Sequence, residues 1–429
     1  MQIINKILWS VAIIMIFLNS IYFSIKLKFP QIRIKTILKT IFTHENNTKD
    51  SNISSKDSLL ISLASKIGAG SLAGISFAIY YGGIGTIFWM WVAAFFVSIN
   101  CFLENMLAII YKEKDGSFYK GGPAYYIRKG LNKKNLAIIY SILAIGAYIF
   151  GFLAIQNNTI TTLVTEIYDV NKILISVVVT LISSIFILKG LKTISNMCNK
   201  IVPIMTTIYL ILGLIVLITN IDKVPNIFIN IIKSAFTNPK SAISGGLIYT
   251  FIIGMQKGIF ANEAGVGTSA ISSGTTSNND YKKQGFLGII ETYFISLFIT
   301  TVTAFIVILS NYNILNIENA NGIEITKYAF SYHFGHFGEI MLLIILVLFS
   351  FSTIITGYYY GESNLKSLSK NANSIKVLKI VTIITIFLGG VLSSFFVWKV
   401  VDIFIAILAI INIYAIYNLK DIIFKKLKN

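Results

Sequence analysis

Eleven apolar segments, each long enough to cross about 30 Å of hydrocarbon, constrain this chain more than any other feature. They fall at roughly 7–25, 58–80, 84–111, 136–165, 173–189, 198–219, 241–274, 285–310, 339–360, 377–394 and 400–419. Lipid offers the backbone no water to bond, so segments near twenty residues are helices and not barrel strands. Composition agrees: 55% of the residues are hydrophobic and 13% charged, about half the charge fraction of a soluble domain. The class is therefore an all-α integral membrane protein embedded in the bilayer. Cys101 and Cys198 offer no disulfide framework, and His44, His333 and His336 have no spacing that suggests a metal site.

The net charge of +18 does not point to nucleic acid, because the basic residues are placed by topology. With the N-terminus outside, the cytoplasmic loops would be 26–57, 112–135, 189–200, 275–284, 361–379 and the tail from 420, and these hold 27 of the 36 lysines and arginines. That asymmetry is the positive-inside pattern. It predicts a multi-pass plasma-membrane protein, in the inner membrane if the cell has two, with its C-terminus cytoplasmic. Segment 7–25 follows a single lysine, precedes a long basic stretch and lacks a small-residue cleavage site, so it reads as a retained helix. Three regions follow: an N-terminal helix with a basic linker over 1–57, a ten-helix core over 58–420, and a basic tail over 421–429. No soluble domain is expected. The stretches 224–236 and 322–338 have the spacing of short helices lying along the external surface.

Two of the segments are built to be weak. "SKIGAGSLAGISFAIYYGG" (65–83) and "GMQKGIFANEAGVGTSAISSG" (254–274) crowd glycine, alanine and serine into membrane spans. With segment 7–25 set aside, they are the first and sixth of ten helices. These are corresponding positions in two halves of five, about 58–219 and 241–419. Paired interruptions in matching positions mark the binding site of an inverted-repeat secondary transporter. An unwound stretch frees N–H groups that suit a carboxylate and carbonyls that suit an ammonium group or Na⁺, and glycine lets a ligand approach. Small residues also serve close helix packing; the matched positions favour a site. Gly68, Gly74, Asn262, Gly265 and Gly267 are the expected hinge residues.

Intramembrane polar residues are costly and usually face the bundle interior. Gln156 offers an amide, and Ser352 and Thr353 offer adjacent hydroxyls, although such hydroxyls also bond back to their own helix. Glu104, Glu263, Glu291 and Asp402 could carry protons or pair with Lys66 or Lys257.

The stretch "KIGAGSLAGISFAIYYGGIGTIFWMWVAAFFVSINCFLENMLAIIYKEKDGSFYKGGPAYYIRKGL", with "KGIFANEAGVGTSAI" and "FSFSTIITGYYYGESNL", resembles the alanine/glycine:cation symporter family. The likeness runs from about 58 to 420. The resemblance implies the five-plus-five inverted-repeat, leucine-transporter-like fold with one extra N-terminal helix, eleven in all, importing a small neutral amino acid with Na⁺, or with a proton. It implies that Ala69, Gly70 and Ser71 meet the substrate carboxylate, that Gln156, Phe260, Thr353 and Gly357 line the pocket, and that Ala64, Ile67, Ser352 and Thr353 hold Na⁺. The chain departs from the family where Ala69-Gly70-Ser71 replaces Thr-Gly-Asn and where Gly357 replaces a tryptophan. The second change should leave room for a substrate larger than alanine. Ser269-Ala270 and Ile411-Asn412 also depart from the family's Ala-Pro and Pro-Asn.

Two other classes compete. A channel or an amino-acid sensor would share the pocket without uphill transport. An enzyme would need convergent nucleophile and base groups, and the spans contain no histidine. No phosphate-binding loop of a primary pump is present, and no cofactor other than the coupling ion is implied.

Overall fold

The structure is a computed structural model and describes residues 2–42, 53–237, 247–312, 321–369 and 371–428. Part of the basic linker (43–52, with His44) and the start of the seventh apolar segment (241–246) lie outside the described residues. Among the described residues, eight helices are long and apolar enough to cross a membrane, and the pair Ser55–Lys66 and Gly70–Gly82, bent by 57°, makes a ninth candidate. Lys172–Ile187 is a shorter apolar helix, and Leu247–Asn262 continues across a break into Thr268–Ser273. The described part of each apolar segment thus falls mainly on helix, with breaks at 67–69 and 263–267.

Local sequence explains where these helices begin. Ser54 caps the first broken helix by accepting from the Asp57 N–H, and the Asp57 carboxylate accepts from the Ser54 N–H. Asn321 and Glu324 repeat that capping box at the start of Gly322–Leu368. Reciprocal caps of this kind satisfy N–H groups that have no partner inside the helix. The stretch expected to form a separate surface helix, 322–338, is continuous with the following span through a kink at Gly335 (φ 60°). The other, Val224–Thr237, is a helix of its own.

The helix Gln2–Lys26 is not an appendage. It packs between Thr86–Tyr111 and Ser394–Asn418, where the Asn19 amide donates to Asn100 Oδ1 at 2.8 Å and Asn100 donates to Ser20 Oγ at 2.9 Å. A small antiparallel hairpin, Glu113–Asp115 with Phe118–Lys120, joins Thr86–Tyr111 to Pro123–Gly130. It is tied by Glu113 to Arg128 (2.8 Å) and Lys129 (3.0 Å), and by Asp115 to Lys366 (3.3 Å).

Candidate functional site

Both interruptions open onto one small cavity. The first broken helix stops at Lys66 with Ile67 at non-helical angles (φ −82°, ψ 82°). It resumes as a wide π-helical turn, Gly70–Gly74, before Ile75–Gly82. The second stops at Asn262, and Glu263, Gly265 and Gly267 take positive φ values of 50°, 86° and 103°. At Gly267 the backbone also passes so near Pro123 that a Cβ would lie 2.3 Å from its Cγ, so glycine is required there twice over. Asn262 closes the helix end: its side chain accepts from the Ala264 N–H and donates to Ser296 Oγ, both at 3.0 Å. Gly74, expected to be a hinge, has helical angles (φ −64°, ψ −38°).

The cavity is lined by Ser65, Lys66, Gly68, Gly70, Phe152, Ile155, Gln156, Phe260 and Glu263 and leaves about 10 Å³ for the centre of a water-sized sphere. That is room for about one water, so a larger guest requires the walls to part. Gln156 Oε1 accepts from the Ala69 N–H at 2.9 Å. A Cβ on Gly68 would sit 2.6 Å from Thr353 Oγ1 and 2.9 Å from Gln156 Oε1, and one on Gly70 3.0 Å from the Phe260 ring. Thus the structure brings Gly68, Ala69, Gly70, Gln156, Phe260 and Thr353 together. Ser71 is turned away: its hydroxyl donates to the Lys66 carbonyl at 3.2 Å. Gly357 faces the Leu153 side chain, whose Cδ1 would lie 2.7 Å from a Cβ at that position, and is not in the cavity wall.

Beside the cavity, the hydroxyls of Ser352 and Thr353 both donate to the Ala64 carbonyl, each at 3.1 Å. They also bond back to the Phe349 carbonyl at 2.9 and 3.0 Å. The back-bonding is the ordinary behaviour of helix hydroxyls; the convergence on Ala64, 288 and 289 positions away, is not. Three hard oxygens meet where the first helix ends. Ile67, the fourth expected ligand, is the buried C-cap of that helix.

Two buried ion pairs bracket the cavity. Towards the Ser55 end, Lys66 pairs with Glu291, and the lysine also donates to Ser269 Oγ at 2.5 Å. Ser62 donates to Glu291 Oε1 at 2.5 Å. Towards the Gly82 end, Lys257 lies 3.5 Å from Asp402 and over the rings of Phe77, Phe260 and Trp398 at 5.2–5.6 Å. Phe260 in turn stacks on Phe152 with centroids 5.9 Å apart. Sequence reasoning left pairing and proton transfer open for these carboxylates. Two of the four are paired to lysine, and one of the others, Glu263, is a wall of the cavity.

The model of the sodium:alanine symporter family matches residues 1–429. The chain is 34% identical over 409 residues to the amino-acid carrier protein AlsT of Bacillus subtilis, covering 95% of this chain and 87% of that one. It is 33% identical to the probable sodium/glutamine symporter GlnT of the same organism (99% and 89% covered). It is 29% identical to the sodium/alanine symporter AgcS of Methanococcus maripaludis (99% and 95%). In fold it is similar to the crystal structure of a manganese transporter mutant from Eremococcus coleocola, with a TM-score of 0.52 and 13% identity, over 84% of this chain and 76% of that one. With the family pattern spanning the full sequence and the helical architecture shared with a transporter, the chain belongs to the sodium:alanine symporter family.

Proposed function

We propose that this protein is a secondary active symporter that imports a small neutral amino acid on a Na⁺ gradient. One observation carries the reading: two interrupted helices line one cavity together with Gln156, and Thr353 stands against Gly68 at the first break. The Gln156 oxygen on the Ala69 N–H marks where a substrate carboxylate oxygen would be accepted. The amide would turn aside as the substrate entered. Na⁺ would sit where the Ala64 carbonyl meets Ser352 and Thr353, next to Ile67. Substrate and ion would then both bridge the first helix break, so each favours the geometry the other needs, which is coupling in the thermodynamic sense. The eleven-helix count, the inverted repeat, the outside N-terminus and the cytoplasmic C-terminus belong to the same proposal, supported by the lysine and arginine distribution.

The test is uptake of radiolabelled alanine into proteoliposomes under an imposed Na⁺ or proton gradient. Uphill uptake driven by Na⁺ and collapsed by an ionophore is the expected result. Downhill equilibration alone would make the protein a channel, and binding without uptake would make it a sensor.

Ser352→Ala and Thr353→Ala are each expected to raise the Na⁺ concentration for half-maximal uptake about tenfold. A lost partner of a buried polar group costs roughly 1–3 kcal/mol, and about 1.4 kcal/mol is a factor of ten. Unchanged Na⁺ curves in both variants, at normal expression, remove the ion from this place.

Substrate size is read at Leu153. The family's tryptophan would start at Gly357, and Leu153 takes part of the room left by its absence. Leu153→Ala would join the room beside Gly357 to the cavity bounded by Phe152 and Ile155, and it is expected to raise competition by glutamine and leucine relative to alanine, since each newly buried methylene adds about 0.8 kcal/mol. An unchanged rank order among alanine, glycine, serine, glutamine and leucine would show that this corner does not set substrate size.

A further inference from the structure

Charge does not balance around the cavity. Glu104, Glu263 and Glu291 are each no more than 1% exposed, and Lys66 is 3% exposed. Lys66 is committed to Glu291 and Ser269. No lysine or arginine forms an ion pair with Glu104 or Glu263 among the described residues, and one oxygen of each, Glu104 Oε1 and Glu263 Oε2, is buried without a hydrogen-bond partner. Lys66 also bears electrostatically on Glu104 and Glu263, but one ammonium cannot balance three carboxylates, and an uncompensated buried carboxylate costs several kcal/mol.

The surrounding groups do not supply the missing positive charge. From Thr86–Tyr111, the Cys101 thiol donates to Ser269 at 3.0 Å. Asn412 donates to Glu104 Oε2 at 2.8 Å and to the Gly265 carbonyl at 3.0 Å, which ties Glu104 to the break that carries Glu263. The Tyr126 hydroxyl is taken by Asn412, Tyr140 by the Val266 carbonyl at 3.0 Å, and Tyr148 by Thr268 at 3.0 Å. Tyr360 is the remaining titratable neighbour of Glu263. All of these are neutral donors. Glu263 itself sits in the left-handed region (φ 50°), rare for a residue with a side chain. The residue lines the same cavity as Gly68, Gly70 and Gln156, and one of its carboxyl oxygens is buried without a partner.

We propose that Glu263, backed by Glu104, is a second cation site. It takes a monovalent countercharge, Na⁺ or a proton, at a place distinct from the oxygens of Ala64, Ser352 and Thr353. The site rests on the symport reading for its role, because a countercharge on the second helix break would couple that helix to the ion gradient as the first is coupled through Ala64. Its test needs no amino acid.

The full-length protein is purified in detergent, with Glu263→Gln and Glu104→Gln made alongside. One arm counts bound ²²Na⁺ per chain at pH 8. The other counts protons taken up by the weakly buffered protein between pH 9 and 5. If Na⁺ is the countercharge, Glu263→Gln binds about one fewer Na⁺ per chain. If it is a proton, the Na⁺ count holds and about one fewer proton is taken up. Glu104→Gln should weaken the same event without moving the Thr353→Ala count. Unchanged counts in both arms for both carboxamide variants overturn the site. Should Glu263→Gln not fold, Glu104→Gln is read by the same criterion, and unchanged counts in it overturn the site. A Thr353→Ala variant that keeps its full Na⁺ count counts against the symport site near Ala64 and leaves this one standing.

Discussion

Glu291→Ala is expected to leave little folded protein in the membrane, and adding Lys66→Met to it is expected to recover much of the loss. The two side chains form an ion pair with 1% and 3% exposure. Removing one partner of a buried pair costs about 3–5 kcal/mol because the other charge is left uncompensated. That is a large share of a typical stability of roughly 5–15 kcal/mol. Replacing both charges by apolar groups removes the uncompensated charge and is often neutral or better. Glu291→Gln should fall between, since it keeps an acceptor for the Ser62 hydroxyl. The measurement is the monodisperse yield and melting temperature of each variant in detergent. A single Glu291→Ala variant that melts like the parent would mean that Glu263 or Glu104 can take over Lys66, and the cavity's charge arrangement would have to be redrawn.

Gly70→Val is expected to lose uptake by at least a hundredfold while the protein still folds and inserts. A Cβ here already lies 3.0 Å from Phe260 Cε1, and valine adds two methyl groups beyond it. The ring cannot simply swing away, being stacked on Phe152 and 5.5 Å from Trp398. Yet the contact is with a side chain and not with backbone, so the helices can keep their packing. Gly68→Ala should show the same split with a different signature. Its methyl would press on Thr353 Oγ1 at 2.6 Å and Gln156 Oε1 at 2.9 Å, disturbing ion and substrate dependence together. Normal transport by either variant at normal expression would detach the first helix break from the binding site. Loss of the protein itself would instead make these glycines packing residues.

Much of this architecture was legible because lipid makes local composition decisive. A run of twenty apolar residues has few alternatives to helix, and glycine clusters within such runs stand out. Both breaks therefore appear where glycines 68 and 70 and glycines 265 and 267 announced them. Gly74 belongs to the same cluster and closes the π-helical turn with helical angles, because a glycine tolerates a regular backbone as readily as an irregular one. The π-helical stretches Gly146–Phe152 and Phe294–Ile299 left no such signal. One extra residue per turn is tolerated by the same apolar composition. Periodicity was equally silent on which carboxylate meets which lysine, since the partners are on helices far apart in sequence. Nor could it show that Leu153 stands against Gly357. Contacts of that kind are set by how whole helices pack.

The Lys66–Glu291 pair has a consequence for how the chain is made. Ser62, one turn before the lysine, and Glu291, to which it bonds, are 229 positions apart. At about 5–20 residues per second, the ribosome needs on the order of ten to forty seconds to supply the carboxylate after the lysine has emerged. During that interval the first broken helix carries an ammonium group, several serines and an unwound turn, and it has little reason to stay in lipid by itself. A nascent chain arrested shortly before Glu291 should therefore leave this helix extractable or misoriented, and one arrested after Glu291 has cleared the insertion machinery should hold it in place.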